Sequence, residues 1–216
     1  MEPLLQVQRL NIDGHILPSF MIMQGEGCVL RLPDDLPPVR IADHLLGRYL
    51  LPPGAVLFGG RELNLTRRRG IAWIPAGGGL ISNLPIWENI ALPLWYHDEA
   101  LQTDIEDRLA FWLEAVGLER KHWPNFLAAE PDELEELEIR QAGLVRGLLS
   151  RSNLLLVDGG LFAGIGARWQ PVWEGVLQNY LEQDKDRGVL IITEGTVGLP
   201  WPVAAVIGAG TRGGAA

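Results

Sequence analysis

The sequence has a single cysteine, Cys28, among 216 residues, so no internal disulfide can form and a disulfide scaffold is excluded. Cys28 sits in an apolar run, where a lone cysteine serves as a small buried hydrophobe. No stretch reaches the roughly 18 consecutive apolar residues that a membrane-spanning helix needs. The N-terminus lacks the basic start and unbroken apolar stretch of a signal peptide, so the expected location is the cytoplasm. Positive charge is scarce too. Eighteen Lys and Arg against 27 Asp and Glu leave a net charge of −9, which argues against general binding to nucleic acid or anionic membranes. The one dense basic spot, Arg67-Arg68-Arg69, reads as a solvated turn. His15, His44, His97 and His122 show no metal-ligand spacing, so no zinc site is expected. There is no internal repeat, and residues 208–216 form a Gly- and Ala-rich tail that is expected to fray.

What is present is ordinary globular composition, 47% hydrophobic and 21% charged, in a length that suits one α/β domain. Five short apolar runs, 28–32, 71–74, 154–158, 189–193 and 203–207, lack polar alternation, as strands covered on both faces do. Helical spacing appears between them. Ile41, Ala42, Leu45 and Tyr49 follow Pro37-Pro38. Leu101, Ile105, Leu109, Trp112 and Val116 form a stripe closed by Gly117. Leu134, Leu137, Gln141, Leu144 and Leu148 form another, with Asp132 and Glu135 resembling a capping box. Trp169, Val172, Trp173, Val176 and Tyr180 give a fourth. Strands alternating with helices predict an α/β fold with a largely parallel sheet. The chain between the second and third runs exceeds one crossover, which predicts an inserted helical subdomain at 98–145 within a core made of 1–97 and 146–208.

The segment from Gly77-Gly78-Gly79-Leu80-Ile81-Ser82-Asn83-Leu84-Pro85-Ile86-Trp87-Glu88-Asn89-Ile90 to Ala91-Leu92-Pro93-Leu94 carries a resemblance. It resembles the stretch after the Q-loop strand of ABC-transporter ATPases, most of all those serving lipid-trafficking Mla/Mce-type permeases. Other landmarks fall into register. Gly25-Glu26 looks like the start of the phosphate-loop strand, and Leu46-Gly47, Pro53-Gly54 and 59–63 look like the helix and hairpin that follow. Residues 131–134 resemble the lead into the signature helix, and 154–158 the Walker B strand. The resemblance covers nearly the whole chain and implies a P-loop NTPase-like core with an inserted helical subdomain.

The residues at the motif positions differ from the family pattern. A Walker A loop, G-x-x-x-x-G-K-[ST], uses glycines to bring backbone N–H groups around phosphates, with Lys and Ser/Thr on phosphate and Mg²⁺. Residues 32–39 read Leu-Pro-Asp-Asp-Leu-Pro-Pro-Val instead. Three prolines remove three donors. Asp34 and Asp35 put negative charge where phosphates would lie, and Pro38 replaces the lysine. Ala76 stands at the Q-loop glutamine. Leu134-Glu135-Glu136-Leu137-Glu138 replaces the L-S-G-G-Q signature, whose helix N-terminus serves a γ-phosphate. Asp158 stands at the Walker B aspartate and reads as a strand-end hydrogen-bonding residue, or at most a relic of a metal site, and Gly159 replaces the general-base glutamate. The D-loop aspartate corresponds to Gly166, with one residue inserted, and Glu194 replaces the switch histidine. No aromatic residue precedes Phe20 to stack on adenine.

The resemblance therefore implies a non-catalytic pseudo-ATPase subunit with no cofactor, acting as scaffold or regulator on an ABC permease at the inner face of a membrane. Leu80, Leu84, Trp87, Glu88, Asn89 and Trp95 are the expected partner-binding residues, because the family's groove for a permease lies there. A homodimer, or a heterodimer with an intact ATPase, is expected not to depend on ATP. Two alternatives stay open: an ATP-binding subunit that still binds or slowly hydrolyses ATP with atypical residues, and a decayed paralogue or adaptor without a permease.

Overall fold

The computed structural model describes residues 3–63, 70–96, 102–194 and 201–207. The basic run 67–69, His97 and the tail 208–216 lie outside the described residues. Backbone contacts divide the chain into two units.

The first unit comprises residues up to Trp73, Asn153–Gly159 and Leu181 onward. It contains strands β1 (Pro3–Val7), β2 (Leu10–Ile12), β3 (His15–Leu17), β4 (Phe20–Met23) and β5 (Gly27–Leu32). Helix α1 (Pro38–Leu45) and strands β6 (Val56–Phe58), β7 (Arg61–Glu62) and β8 (Ile71–Ile74, as far as Trp73) follow. The apolar runs of the sequence become one five-stranded sheet of order β11-β5-β10-β9-β8, with β9 (Leu154–Asp158), β10 (Gly188–Glu194) and β11 (Val203–Val206). The pairings β11·β5, β5·β10 and β10·β9 are all parallel. Such strands need apolar side chains on both faces, and residues 154–157 and 188–193 are buried without a break.

A second, antiparallel sheet of order β4-β1-β6-β7 and the β2–β3 hairpin were not legible as strands. Their segments are two to five residues long, too short for a period to show. Helix α1 also stops earlier than its apolar stripe suggests. Proline at its first position suits the start, but the chain turns at Gly47 (φ 67°) and Tyr49 lies beyond the helix. The core joins both sheets to α1 through Leu5, Ile22, Leu30, Ile41, Leu45, Leu156 and Ile192. Cys28 is buried there, and burial pushes its thiol up to about 11.

The second unit, Ile74–Ser152 with Gly160–Tyr180, is helical. It holds α2 (Ile86–Tyr96), α3 (Gln102–Ala115), α4 (Trp123–Ala128), α5 (Glu136–Leu149) and α6 (Gly166–Gln183, as far as Tyr180). Helix α5 packs on α2 and α3. Helices α2 and α4 escaped periodicity. In α2, Pro93 lies inside the helix and apolar residues occupy several sides, with Ile86, Ile90 and Leu94 inward and Trp87, Leu92 and Trp95 outward.

Glycine matters most at Gly143 on α5. A Cβ there would sit 2.3 Å from the Gly78 Cα and 2.5 Å from its carbonyl oxygen. The turn at 75–79 therefore lies backbone to backbone on α5, and Gly78 (φ 72°) and Gly79 (φ 64°) supply the left-handed conformations it needs.

Candidate functional site

All five sheet strands were foreseen, and the register of their parallel pairings fixes what their carboxyl ends present. Glu194 pairs with Leu32 and Asp158 with Ile192, so 32–39, Asp158-Gly159 and Glu194 share one end of the sheet. In open α/β sheets that end is where ligands bind.

The loop from β5 to α1 is built by its prolines. Strand β5 ends at Leu32 and helix α1 begins at Pro38, so the loop occupies the place expected for a phosphate loop. It folds as a tight turn in which the Leu36 N–H donates to the Pro33 carbonyl at 3.1 Å, with Leu36 buried beneath. Pro33, Pro37 and Pro38 have no N–H to offer, and the Leu36 donor is already engaged. Asp34 and Asp35 are exposed on the turn. The β2–β3 hairpin lies against the same region. His15 is buried, with Nε2 3.8 Å from the Asp35 carboxylate. Arg40 on α1 grips Asp13 through two bonds of 2.7 and 2.9 Å and donates to the Tyr49 hydroxyl at 2.6 Å. This guanidinium holds the Asp13 carboxyl below its ordinary value.

At Gly159 the fit is tighter. A Cβ there would sit 2.4 Å from the Thr193 Cβ and 2.5 Å from its Oγ1. A glutamate at this position has no room unless β10 shifts. Glu194, the neighbour of Thr193, is exposed.

In the second unit the signature position forms the start of α5. The capping pair falls three residues later than the sequence suggested: Glu138 accepts the Glu135 N–H at 3.0 Å, and Leu134 stays outside the helix. A similar pair, Glu133 on the Glu130 N–H at 2.9 Å, precedes it. Carboxylates at a helix N-terminus complement its partial positive charge, so this end carries its own anions. Glu136 pairs with Arg140 one turn on, and Arg140 donates to the carbonyls of Leu161 (3.2 Å) and Ala163 (2.6 Å). Glu135, Glu136, Arg140, Ile165 and Trp169 line a cleft of about 400 Å³ here. Gly166 (φ 76°) opens α6. Ala76 is half-buried in the turn at 75–79. Arg146 donates to the Gly78 carbonyl at 3.2 Å, and burial lowers its pKa. That contact links α5 to the turn and had no signal in the sequence.

The expected partner residues divide into two kinds. Trp87 and Trp95 are 45% and 48% exposed on α2 and stack edge to face at 5.2 Å. Leu80, Leu84 and Glu88 are half-buried around them. Asn89 is a correction, because it is wholly buried. Its carboxamide accepts the Ile81 N–H at 2.7 Å and donates to the carbonyls of Ile81 and Leu84 at 3.0 and 2.9 Å. Asn89 therefore shapes the 81–85 loop from inside, which an exposed contact residue could not do. Among the described residues no group of His, Cys, Asp or Glu could hold a metal, and no helix is long and apolar enough to cross a membrane.

This architecture is the ABC-transporter ATPase fold. CbiO1 from Clostridium perfringens, part of the ABC transporter complex CbiONQ, superposes with a TM-score of 0.69 over 90% of this chain and 80% of that one, at 14% identity. A dimeric ATP-binding cassette in a post-hydrolysis state with ADP and phosphate gives 0.68 over 88% and 87%, at 16% identity. In sequence, the chain is 29% identical over 123 residues to MlaF, the ATP-binding protein of the intermembrane phospholipid transport system of Haemophilus influenzae. That match takes in 53% of this chain and spans 44% of MlaF, less than half its length. No family model matches the chain.

Proposed function

We propose that this chain is an ATPase-like subunit of an ABC-type transporter, serving lipid traffic, that works without binding or hydrolysing ATP. The fold and the similarity to MlaF support the transporter setting. The β5–α1 loop carries the rest: three prolines, an engaged Leu36 donor and two exposed aspartates occupy the place of a phosphate cradle. Gly159 against Thr193, and the carboxylates at the start of α5, point the same way. The chain acts as scaffold or regulator, held at the cytoplasmic face by a permease that docks on 80–96, where Trp87 and Trp95 are open. Its association with a second copy or with an intact ATPase does not depend on ATP.

Calorimetry tests this reading. With millimolar ATP and Mg²⁺ the expected result is no binding heat, and Pro38→Lys alone gives none either, because the missing donors and the aspartates remain. Micromolar affinity in the natural chain overturns the proposal in favour of an ATP-binding subunit with atypical residues.

A further inference from the structure

Arg31 is out of place in its strand. It sits on β5, the second strand in from the sheet edge, between Leu30 and Leu32, which pack with α1 in the core. Side chains alternate along a strand, so Val29 and Arg31 point to the face away from α1. Their register partners on the edge strand β11 are Val203 and Val206. On that edge the sheet is open: Val203 is 40% and Val206 59% exposed, whereas 188–193 of β10 are buried throughout. Arg31 itself is half-buried, and its Nε is shut off from solvent without an acceptor. Among the described residues no carboxylate pairs with it.

A half-buried guanidinium with no anion, flanked by exposed valines, is half of an interaction. The missing half must supply a carboxylate and cover apolar surface at once. An inorganic anion would leave both valines in water. A second copy paired edge to edge would present its own β11, Val-Ala-Ala-Val, which has no carboxylate for Arg31. We infer that the β11 edge of the first unit docks a second protein, through an apolar segment whose single Asp or Glu pairs with Arg31. This surface belongs to the first unit and the 80–96 segment to the second, and the inference does not rest on the proposed function.

The test places a photoreactive phenylalanine at position 203, 206 or, as a separate arm, 95, in the full chain in cells that make its natural partners. The expected result is that positions 203 and 206 cross-link to one protein, in a peptide bearing an Asp or Glu. Arg31→Glu should then cut the yield by more than about thirtyfold, and changing that partner carboxylate to Arg in the Arg31→Glu background should restore it. Cross-links to lipid, to this chain or to nothing overturn the inference, as does a charge swap that fails to rescue. Arg31→Met separates docking from a structural role. Replacing an unpaired cation by an apolar side chain should leave the melting temperature of the isolated chain unchanged or higher; a clear fall would make Arg31 structural and sink the idea. A cross-link from position 95 to a permease, with silence at 203 and 206, defeats this inference and leaves the proposed function standing.

Discussion

The two units differ in what they offer to an anion. At the carboxyl end of the sheet in the first unit, donors are scarce: Pro33, Pro37 and Pro38 have no N–H, the Leu36 N–H is engaged, and Gly159 has no side chain where Thr193 lies close. At the start of α5 in the second unit, charge is added: Glu135, Glu136 and Glu138 bring carboxylates to a helix end and find partners in the backbone and Arg140. Each solution is locally satisfied and each is poor for a phosphate. Both places are already committed to local contacts, so a single substitution at either one meets neighbours that are engaged elsewhere.

The sharpest way to break the comparison is at the tightest contact of the second unit. Alanine favours a helix over glycine by up to about 1 kcal/mol, so Gly143→Ala would stabilise an unencumbered α5. Here the new methyl meets the Gly78 backbone at 2.3 Å. Overpacking against rigid backbone should outweigh propensity and cost about 3 kcal/mol, read as a lower midpoint in urea denaturation. A neutral or stabilising result would show that the 75–79 turn yields, and that the second unit is not set by this contact.

The matching change in the first unit is Gly159→Glu, which puts a carboxylate next to Asp158. The Thr193 side chain at 2.4 Å must move, at a cost of about 2 kcal/mol. ATP hydrolysis by the variant should remain at background, because the phosphate loop is unchanged. Measurable turnover would mean that one residue had held the activity back, and the contrast between the units would lose its point. A smaller effect is expected at the surface of α2. Trp95→Asp should leave the melting temperature within a degree or two, since Trp95 is half exposed, while removing co-purification with a permease. A complex that survives this change and Trp87→Asp would place the partner elsewhere.

Much of this was legible in the sequence, for a physical reason in each case. Strands β9 and β10 declare themselves as unbroken apolar runs because both faces are buried, and β8 and β11 carry the same pattern although they are only partly buried. The assignment of motif positions rests on the spacing of the landmarks around them. What stayed hidden depends on distant contacts: the Gly78–Gly143 approach, Thr193 against Gly159, and the Arg146 bond to the Gly78 carbonyl join residues far apart in the chain. Asn89 was misplaced at the surface because composition cannot say which way a helical side chain points. Short antiparallel strands such as β2 and β7 carry too few residues for a period to show.

The smallest expected effect concerns the hairpin beside the β5–α1 loop. Asp13 is gripped by Arg40, and the hydrogen bond from that guanidinium is the main reason its carboxyl lies below the ordinary 3.8. A depressed folded-state value means the ionised form is favoured by folding. The contribution is present above the unfolded value and is lost as pH falls through the folded one. Both side chains are partly in solvent, 34% exposed for Arg40 and 49% for Asp13, so screening keeps the effect modest. Asp13→Asn should therefore lower the melting temperature slightly at neutral pH, and the gap to the natural chain should narrow below about pH 4 and in high salt. Arg140 in the second unit offers the contrast. It donates to the carbonyls of Leu161 and Ala163 as well as to Glu136, so Glu136→Gln leaves most of its bonding in place and should change the melting temperature less. If instead Asp13→Asn leaves the melting temperature and the acid limb of the stability profile unchanged while Glu136→Gln lowers the melting temperature, the hairpin is held by apolar packing and the ion pair that matters lies in the helical unit.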